Sequence, residues 1–440
     1  MLADRRWRIG IVAALLLASL AIRVVQVETT SYTPRFDAAS YLALAGQIAR
    51  SGDYASGAGA AAGTRGATAY FPPAYPYFLA AVAKVSTSVE AARISQAVLG
   101  TVTVALVALI ALEACGAAVA LAALLIAAVY PAMVELSAVL VVQNLLTPLL
   151  LGAVCTALRA RRAARPSLWL AGSGALLGLA ALTHQEVLVA AVPLGFAAWW
   201  AVRKPLAPVI LLASTALVIA PWTIRNASEL HSFVPISDET GITLAGTYNP
   251  ASASDRVIPY RWRIFFVVPR YKDLEAAAPH LTEPQLSSRL TSRAVSYIGD
   301  HPLAPVAAIA HNTLRLLELE GSFAWRASAY VIGISRGVAV IGVVGFWLLA
   351  VLALAGAFTM AARRAPRWLW AVPVLLWLAI AAVNAETPRF REPLDPFLIL
   401  LAGCAIARVA QLGRSPIGRQ SGPPVAGGQR ELVEMHQSLA

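Results

Sequence analysis

Long apolar runs recur along this chain, and several approach the roughly 20 residues that a helix needs to cross a lipid bilayer. Hydrophobic residues make up 58% of the chain and charged residues 13%, whereas a typical soluble protein has about 25% charged residues. We therefore predict an all-α fold, a polytopic transmembrane helical bundle of about ten spans with helices in its external loops.

The net charge of +12 raises the question of nucleic-acid binding. Most of the basic residues are arginines in short loops beside the apolar runs. Loops rich in Lys and Arg stay on the cytoplasmic side of a membrane and so set the orientation of the protein. We therefore expect membrane lipid, and no nucleic acid, among the partners. The three cysteines, Cys115, Cys155 and Cys404, lie in or beside apolar runs, so they predict no disulfide framework.

The arginine clusters give the chain an orientation with both termini inside. An N-terminal cluster precedes the first run, and no clear small-residue cleavage site follows, so a retained signal anchor is expected. The segment 71–85 is predicted to lie on or dip into the outer interface. The predicted spans are 9–27, 94–112, 117–134, 139–158, 168–182, 187–202, 206–222, 331–358, 368–383 and 397–409.

This topology divides the chain into four regions. Residues 1–222 form an N-terminal transmembrane region whose first external loop, 28–90, carries Asp37. Residues 223–330 form a small external subdomain, with helices expected at 284–298 and 304–319. Residues 331–411 supply the C-terminal transmembrane helices, and 412–440 form a disordered cytoplasmic tail rich in Gly, Pro, Ser and Gln.

Polar residues from several separate segments fall at or near the outer ends of the predicted spans. Charged groups beside a membrane span are costly unless they meet water, a partner or a substrate, so a shared site facing outward is expected. The alternative is that the outer loops are simply polar. The residues are Asp37, Glu135, Gln143, His184, Glu186, Arg225, Asn226, Arg389 and Arg391.

Four stretches give the chain a family resemblance. They are Arg35-Phe36-Asp37-Ala38-Ala39-Ser40-Tyr41, then Phe71-Pro72-Pro73-Ala74-Tyr75-Pro76, then Pro221-Trp222-Thr223-Ile224-Arg225-Asn226, and finally Arg389-Phe390-Arg391-Glu392-Pro393. In this order they resemble membrane glycosyltransferases of the GT-C class, specifically the branch of the protein O-mannosyltransferases and the lipid A aminoarabinose transferase. Two positions depart from that pattern: Gln143-Asn144 stands where relatives often carry Ser/Thr-Glu, and His184 stands where they carry Arg.

The resemblance implies a glycosyltransferase of the plasma (inner) membrane with its active site outside. Such enzymes move a hexosyl or pentosyl group from a polyprenyl-phosphate donor to a lipid, glycan or protein acceptor, inverting the anomeric centre. Asp37 matches the family's catalytic acidic residue, whose carboxylate serves as the general base. Arg225, Arg389 and Arg391 suit the donor phosphate, because guanidinium binds phosphate bidentately. No metal ligand is assigned and no cofactor is certain, but a divalent metal stays open. The residues expected to line the substrate are Tyr41, Tyr75, Gln143, His184, Glu186 and Asn226.

Several alternatives remain at this stage. Asp37 is also suited to cap a helix that begins at Ala38, and Arg225 to pair with Glu229 one turn later. Arg389 and Arg391 could anchor the chain at the interface. At the level of function, the alternatives are a transporter or flippase for a lipid or polar solute and, because of Gln143 and His184, an inactive glycosyltransferase relative.

Overall fold

A computed structural model of the chain describes residues 2–55, 66–385 and 388–413. It confirms the all-α class, because the β-type pairing within these ranges consists of a single bridge between Ala55 and Ala67. The predicted tail, apart from its first two residues, lies outside the described residues.

The first half of the chain contains ten α-helices, which carry most of the predicted spans. They are α1 (Leu2–Thr29), α2 (Asp37–Ser51), α3 (Ala74–Ala83), α4 (Val89–Cys115), α5 (Ala117–Val129), α6 (Pro131–Leu136), α7 (Gln143–Ala160), α8 (Pro166–Ala181), α9 (Ala191–Val202) and α10 (Leu206–Leu230). A 3₁₀ helix, Gln185–Ala190, runs directly into α9.

The second half begins with short helices and ends with three long ones. They are α11 (Glu239–Thr247), α12 (Pro250–Ala253), α13 (Lys272–Ala277), α14 (Glu283–Asp300), α15 (Ala304–Leu316), α16 (Ser322–Ile332), α17 (Arg336–Ala357), α18 (Met360–Arg364), α19 (Arg367–Val383) and α20 (Asp395–Leu412). Further 3₁₀ turns are Phe265–Val267, Pro269–Tyr271, Ala278–His280 and Pro388–Arg391.

Every predicted span overlaps a helix, but the boundaries differ: the span 139–158 begins before α7, and the span 331–358 crosses the break between α16 and α17. Six helical segments of the described chain are long and apolar enough to cross a membrane: Ile9–Thr29, Val89–Cys115, Gln185–Val202, Leu206–Leu230, Arg336–Ala357 and Asp395–Leu412. The other four predicted spans fall on α5, α7, α8 and α19, which are shorter or less apolar. The multi-pass character is thus supported, and the count of ten spans stays a prediction.

The third predicted span, 117–134, is interrupted at Tyr130. Tyr130 is extended, with φ −61° and ψ 116°, because the ring of Pro131 disfavours a helical conformation in the residue before it. The chain then restarts as the short helix α6, which packs against α17 where Gly342 and Gly345 leave room for Glu135 and Pro131. The break places Glu135 inside the bundle.

A buried arginine fixes the first helix to the bundle. Arg23 is fully buried in α1 and donates hydrogen bonds to the carbonyl oxygens of Ala127 and Ala128 at the end of α5 and to the hydroxyl of Ser137. Buried charge in a membrane protein requires such partners. Because α2 follows α1 directly, this anchor also helps to position the first external loop.

The segment that follows α10 docks onto that loop. Helix α14 begins close to the predicted helix start at 284, and Thr282 and Gln285 form a capping box there. The carboxylate of Glu283 accepts hydrogen bonds from the hydroxyl of Thr68 and the backbone amide of Ala69, each at 2.7 Å. Helix α10 continues to Leu230, past the predicted start of an external subdomain at 223, so the proposed division into regions stays a prediction.

The close approach of α17 and α20 makes a stability prediction. A Cβ atom added at Gly356 would overlap the carbonyl oxygen of Leu401, which belongs to the rigid backbone of α20. We expect Gly356→Ala to lower the free energy of unfolding by about 1–3 kcal/mol, because the two helices must move apart. The matched control is Gly337→Ala in the same helix, where a Cβ meets open space and little loss is expected. Thermal unfolding of both variants in detergent tests this, and equal midpoints would contradict it.

Candidate active site

Helix α2 begins at Asp37 itself. The preceding residue, Phe36, occupies the N-cap position with φ 48° and makes no side-chain capping bond. The interpretation of Asp37 as the cap of a helix starting at Ala38 is therefore wrong. As the first helical residue, Asp37 has its carboxylate at the positive end of the helix dipole and available for another partner.

That partner is Arg389, from the other end of the chain. A guanidinium nitrogen of Arg389 donates to an Asp37 carboxylate oxygen at 2.7 Å, across 352 positions of sequence. The Asp37 side chain is 41% exposed and that of Arg389 is 12% exposed. The structure thus brings together the predicted base and one predicted phosphate ligand. Arg389 lies in an ion pair and is not an isolated interface anchor.

The two tyrosines that were predicted to line the substrate belong to α2 and α3. Tyr41 is one turn after Asp37, and its ring meets the ring of Tyr75 edge-on with centroids 5.0 Å apart. Tyr75 is fully buried, and its hydroxyl donates to the side-chain oxygen of Gln96. Tyr75 therefore supports α2 against α3 and α4, whereas Tyr41 is the nearer of the two to the Asp37 charge, which contributes to its raised pKa after the larger effect of burial.

His184, Glu186 and Gln143 meet at a neighbouring position. His184 contacts the carboxylate of Glu186, and its ring lies edge-on to Phe390, the residue after Arg389, with centroids 6.0 Å apart. Gln143 lines the same small cavity and is buried, and its side-chain oxygen accepts no hydrogen bond from the described part of the chain. A buried acceptor without a partner is suited to accept a hydrogen bond from a hydroxyl group of a ligand or from water.

Glu239, which sequence analysis did not select, completes this cluster. It is the first residue of α11 and lines a second cavity with His184, Glu186 and Phe390. Burial raises the pKa of Glu239 from its ordinary value of 4.5 to about 7, and its neighbours include His184, Glu186, Asp37 and Arg389. Burial lowers the pKa of His184, but the Glu186 carboxylate outweighs this, so the histidine pKa is raised. The cluster therefore holds groups able to exchange protons near neutral pH.

The raised pKa of Glu239 predicts a pH-dependent stability. Because the folded protein binds this proton more tightly than the unfolded chain does, stability falls as the pH rises from about 4.5 to about 7. Glu239→Gln removes the titration, so relative to wild type the variant is expected to gain on the order of 1–3 kcal/mol across this window. Unfolding midpoints between pH 5 and pH 7.5 test this, with exposed Glu275→Gln as control. A difference that does not change with pH would contradict it.

Arg225 and Asn226 lie elsewhere in the fold. Arg225 donates to the carbonyl oxygens of Tyr54 and Thr68, at 2.6 and 2.8 Å, and stacks over Trp222. It forms no ion pair with Glu229 within the described residues, so that interpretation is wrong. Asn226 is fully buried and donates to the carbonyl oxygen of Val234. Both side chains connect α10 to the segments on either side of it, and their predicted roles at the substrate stay predictions.

Arg391, two residues after Arg389, lies in a buried network of hydrogen bonds and ion pairs. It donates to Asp395 at 3.0 Å and to Glu318 at 3.3 Å, and its guanidinium lies over the ring of Phe346. Only 3% of Arg391 is exposed, so the interpretation of Arg391 as an anchor at the membrane interface is wrong. Glu392 beside it accepts a hydrogen bond from Thr147, which fixes the 388–394 segment against α7.

No group of three or more His, Cys, Asp or Glu side chains with the arrangement of a metal site is found among the described residues. His184 and Glu186 alone give two candidate ligands, fewer than the three or four protein ligands of most metal sites. The divalent metal left open by the sequence therefore stays open.

Comparison with known proteins identifies the fold. Residues 71–224 match the family model described as dolichyl-phosphate-mannose-protein mannosyltransferase. The oligosaccharyltransferase AglB from Archaeoglobus fulgidus, whose structure contains an inhibitory peptide and a dolichol-phosphate, superposes with a TM-score of 0.51 at 14% sequence identity, over 94% of this chain. The chain has the GT-C fold of membrane glycosyltransferases.

The GT-C resemblance predicted from four sequence stretches is confirmed at this level. The chain spans about half of the length of AglB, covering 53% of it. ArnT from Cupriavidus metallidurans, bound to undecaprenyl phosphate, is also similar in structure, with a TM-score of 0.45 and 13% identity over 91% of this chain and 78% of ArnT. No curated protein matches the chain. The matched segment 71–224 includes Tyr75, Gln143, His184 and Glu186 but neither Asp37 nor Arg389.

Glu239 is the residue of the cluster around His184 that sequence analysis missed. It follows Asp238 in a polar stretch without apolar periodicity, so neither its helix nor its direction could be inferred. One available signal was Ser237-Asp238-Glu239, a run of polar residues suited to begin a helix. Its position beside His184 depends on long-range packing that a single sequence does not reveal.

Proposed function

We propose that the chain is an integral membrane glycosyltransferase that moves a sugar from a polyprenyl-phosphate donor to an acceptor hydroxyl at the outer face of the membrane. The observation that carries this proposal is the contact between Asp37 and Arg389 in a chain with the GT-C fold. The pair places a carboxylate suited to proton abstraction beside a guanidinium suited to phosphate.

The reaction follows from these two groups. Asp37 takes the proton of the acceptor hydroxyl as the oxygen attacks the anomeric carbon. The bond from that carbon to the phosphate oxygen breaks, and the polyprenyl phosphate leaves with the bonding electrons, so the anomeric centre inverts. Arg389 stabilises the negative charge that develops on the leaving phosphate. Because 41% of the Asp37 side chain is exposed, an acceptor can reach it.

The ion pair gives the donor a way to prepare the base. A phosphate that enters beside Arg389 competes with Asp37 for the same guanidinium, whose planar fork can hold two oxygens. Sharing the guanidinium releases part of the Asp37 carboxylate from its ion pair. Donor binding thereby frees Asp37 to accept the proton of the acceptor hydroxyl.

The space for the sugar lies at the mouth of this site. The two cavities around His184 hold about 10 and 30 Å³, enough for one or a few water molecules and too little for a sugar ring. We infer that the sugar sits above Asp37, or that the 388–394 segment moves away from α2 when the donor binds. His184, Glu186, Gln143 and Glu239 then contact sugar hydroxyls from below. The dolichol-phosphate in AglB, a protein of the same fold, supports a donor of this chemical type.

The proposal is tested in cells by comparing a deletion strain with strains that carry wild-type protein or Asp37→Asn. A glycosyltransferase predicts that a lipid-linked sugar accumulates and one glycan disappears in both the deletion and the Asn strain. If the Asn variant restores the glycan, Asp37 is not the base. A flippase predicts instead that the donor accumulates on one leaflet without a change in the transfer step, and an inactive relative predicts no change in either species.

The orientation makes a separate prediction. We expect residues 223–330 outside and the Arg159–Arg165 loop inside, from the arginine distribution. In a background without the native cysteines, single cysteines at Ser254 and Arg162 are exposed to an impermeant thiol reagent on intact cells. Labelling is expected at 254 and protection at 162, and the reverse pattern would contradict an outward-facing site.

A further inference from the structure

A groove whose lining includes none of the candidate active-site residues runs between α19 and α20. It is open, has a volume of about 720 Å³ and is bounded at one end by the turn that contains α18. Its walls are almost wholly apolar, including Val374, Leu378 and Leu398. Val374 is 57% exposed and Leu378 is 47% exposed, so these side chains face the surroundings of the bundle.

Two arginines line the same groove at one end. Arg363 is the next-to-last residue of α18 and Arg367 is the first residue of α19, and both are exposed. Neither guanidinium donates a hydrogen bond or forms an ion pair to any group in the described part of the chain. Two adjacent, uncommitted cations at the end of an apolar groove are complementary to an anionic head attached to hydrocarbon chains.

The dimensions of the groove agree with one leaflet of a bilayer. Its lining along α19 extends from Arg367 to Leu378, a rise of about 16 Å along the helix, and the hydrocarbon core of a bilayer is about 30 Å thick. Two indole rings line the same stretch, and their N–H groups are already bonded, that of Trp370 to Ala362 and that of Trp377 to Thr313. The rings are therefore fixed and offer apolar contact surface.

We propose that this groove binds an anionic phospholipid, with its phosphate at Arg363 and Arg367 and its acyl chains along α19. The polyprenyl-phosphate donor is a poorer fit, because its phosphate is assigned to Arg389. Leu394 and Phe397 line the end of the groove nearer to Arg389, whereas Arg363 and Arg367 line the opposite end. Binding of a phospholipid in this groove does not require the proposed catalytic function, and only the preference for it over the donor lipid rests on that function.

Native mass spectrometry of the detergent-solubilised protein with phosphatidylglycerol or phosphatidylcholine of identical acyl chains tests the proposal. We expect preferential retention of phosphatidylglycerol. The double variant Arg363→Gln/Arg367→Gln should reduce this preference by about fivefold for each arginine. The double variant Arg162→Gln/Arg165→Gln, which removes the same charge from another loop, should keep it. Val374→Trp, which fills the groove, should weaken binding of both lipids.

Three results would overturn the site. The first is equal retention of the two lipids by wild-type protein. The second is the same loss of preference in both double variants, which would mean that total charge and not the groove attracts the lipid. The third is displacement of phosphatidylglycerol by undecaprenyl phosphate in a manner that depends on Arg363 and Arg367, which would assign the groove to the donor. Unfolding midpoints of all variants establish that the groove variants are folded.

Discussion

Replacing Asp37 with Asn is expected to lower the rate of sugar transfer by about a hundredfold to ten-thousandfold, the usual cost of losing a general base. The substitution is nearly isosteric and leaves α2 unchanged, because the Asp37 side chain makes no capping bond there. What it removes is the negative charge that accepts a proton from the acceptor and a hydrogen bond from Arg389. The measurement is the initial rate of transfer from a synthetic polyprenyl-phosphate sugar by purified protein.

The controls separate catalysis from stability. Asp53→Asn removes an exposed carboxylate from the same external loop and should leave the rate unchanged. Asp37→Glu keeps the carboxylate but displaces it by about one bond length, so partial activity is expected. Unfolding midpoints of the Asp37 variants should stay near that of wild type, because an ion pair with a partner 41% exposed contributes little stability. An Asn variant as active as wild type would eliminate the base role.

Replacing Arg389 is expected to produce the next largest effect, acting on the donor. Loss of one preorganised charged donor to a developing anion commonly reduces turnover by about a hundredfold to a thousandfold. Arg389→Ala should therefore lower turnover and raise the donor KM, while Arg389→Lys keeps the charge but loses the planar fork and should recover only part of the activity. Arg50→Ala removes an exposed arginine at the end of α2 and serves as the matched control.

The result of the Arg389 substitution also tests how the ion pair works. If the guanidinium serves both the donor phosphate and Asp37, Arg389→Ala should lower the rate even at saturating donor and not only raise the donor KM. A variant with normal turnover and normal donor KM would show that Arg389 has no part in donor binding.

Much of the architecture could be predicted because apolar length and arginine distribution determine where membrane helices lie. Each predicted span overlaps a helix, and the start of the helix predicted at 284–298 was visible in the sequence. The break at Tyr130 was not predicted, although Pro131 disfavours a helical conformation in the residue before it. The apolar run continues on both sides of Pro131, and the span prediction followed that run. Where a helix must satisfy both bilayer length and local backbone chemistry, the proline decides the boundary.

The site was predictable only where local motifs marked it. Asp37 and Arg389 stood in recognisable stretches, and the fold places them in contact. Arg391 stood in the same motif, but its partner Glu318 is 73 positions away, so its burial was invisible in the sequence. Arg225 was assigned to phosphate from its family-like stretch and its position at the outer end of a predicted span. Its hydrogen bonds to Tyr54 and Thr68 depend on how the first loop folds back over α10. Burial and long-range pairing decide whether an arginine is available to a ligand.

The proposed chemistry makes one product that neither transport nor passive binding makes, which is free polyprenyl phosphate. Purified protein in lipid is incubated with a polyprenyl-phosphate sugar and acceptor, and the free polyprenyl phosphate is quantified against the glycosylated acceptor for wild type and Asp37→Asn. We predict that wild type forms the two products in equal amounts and that the Asn variant forms at most about one hundredth as much of each. A donor that stays intact with wild-type protein, or equal product from both proteins, would contradict the assignment of this chain as a glycosyltransferase that uses Asp37.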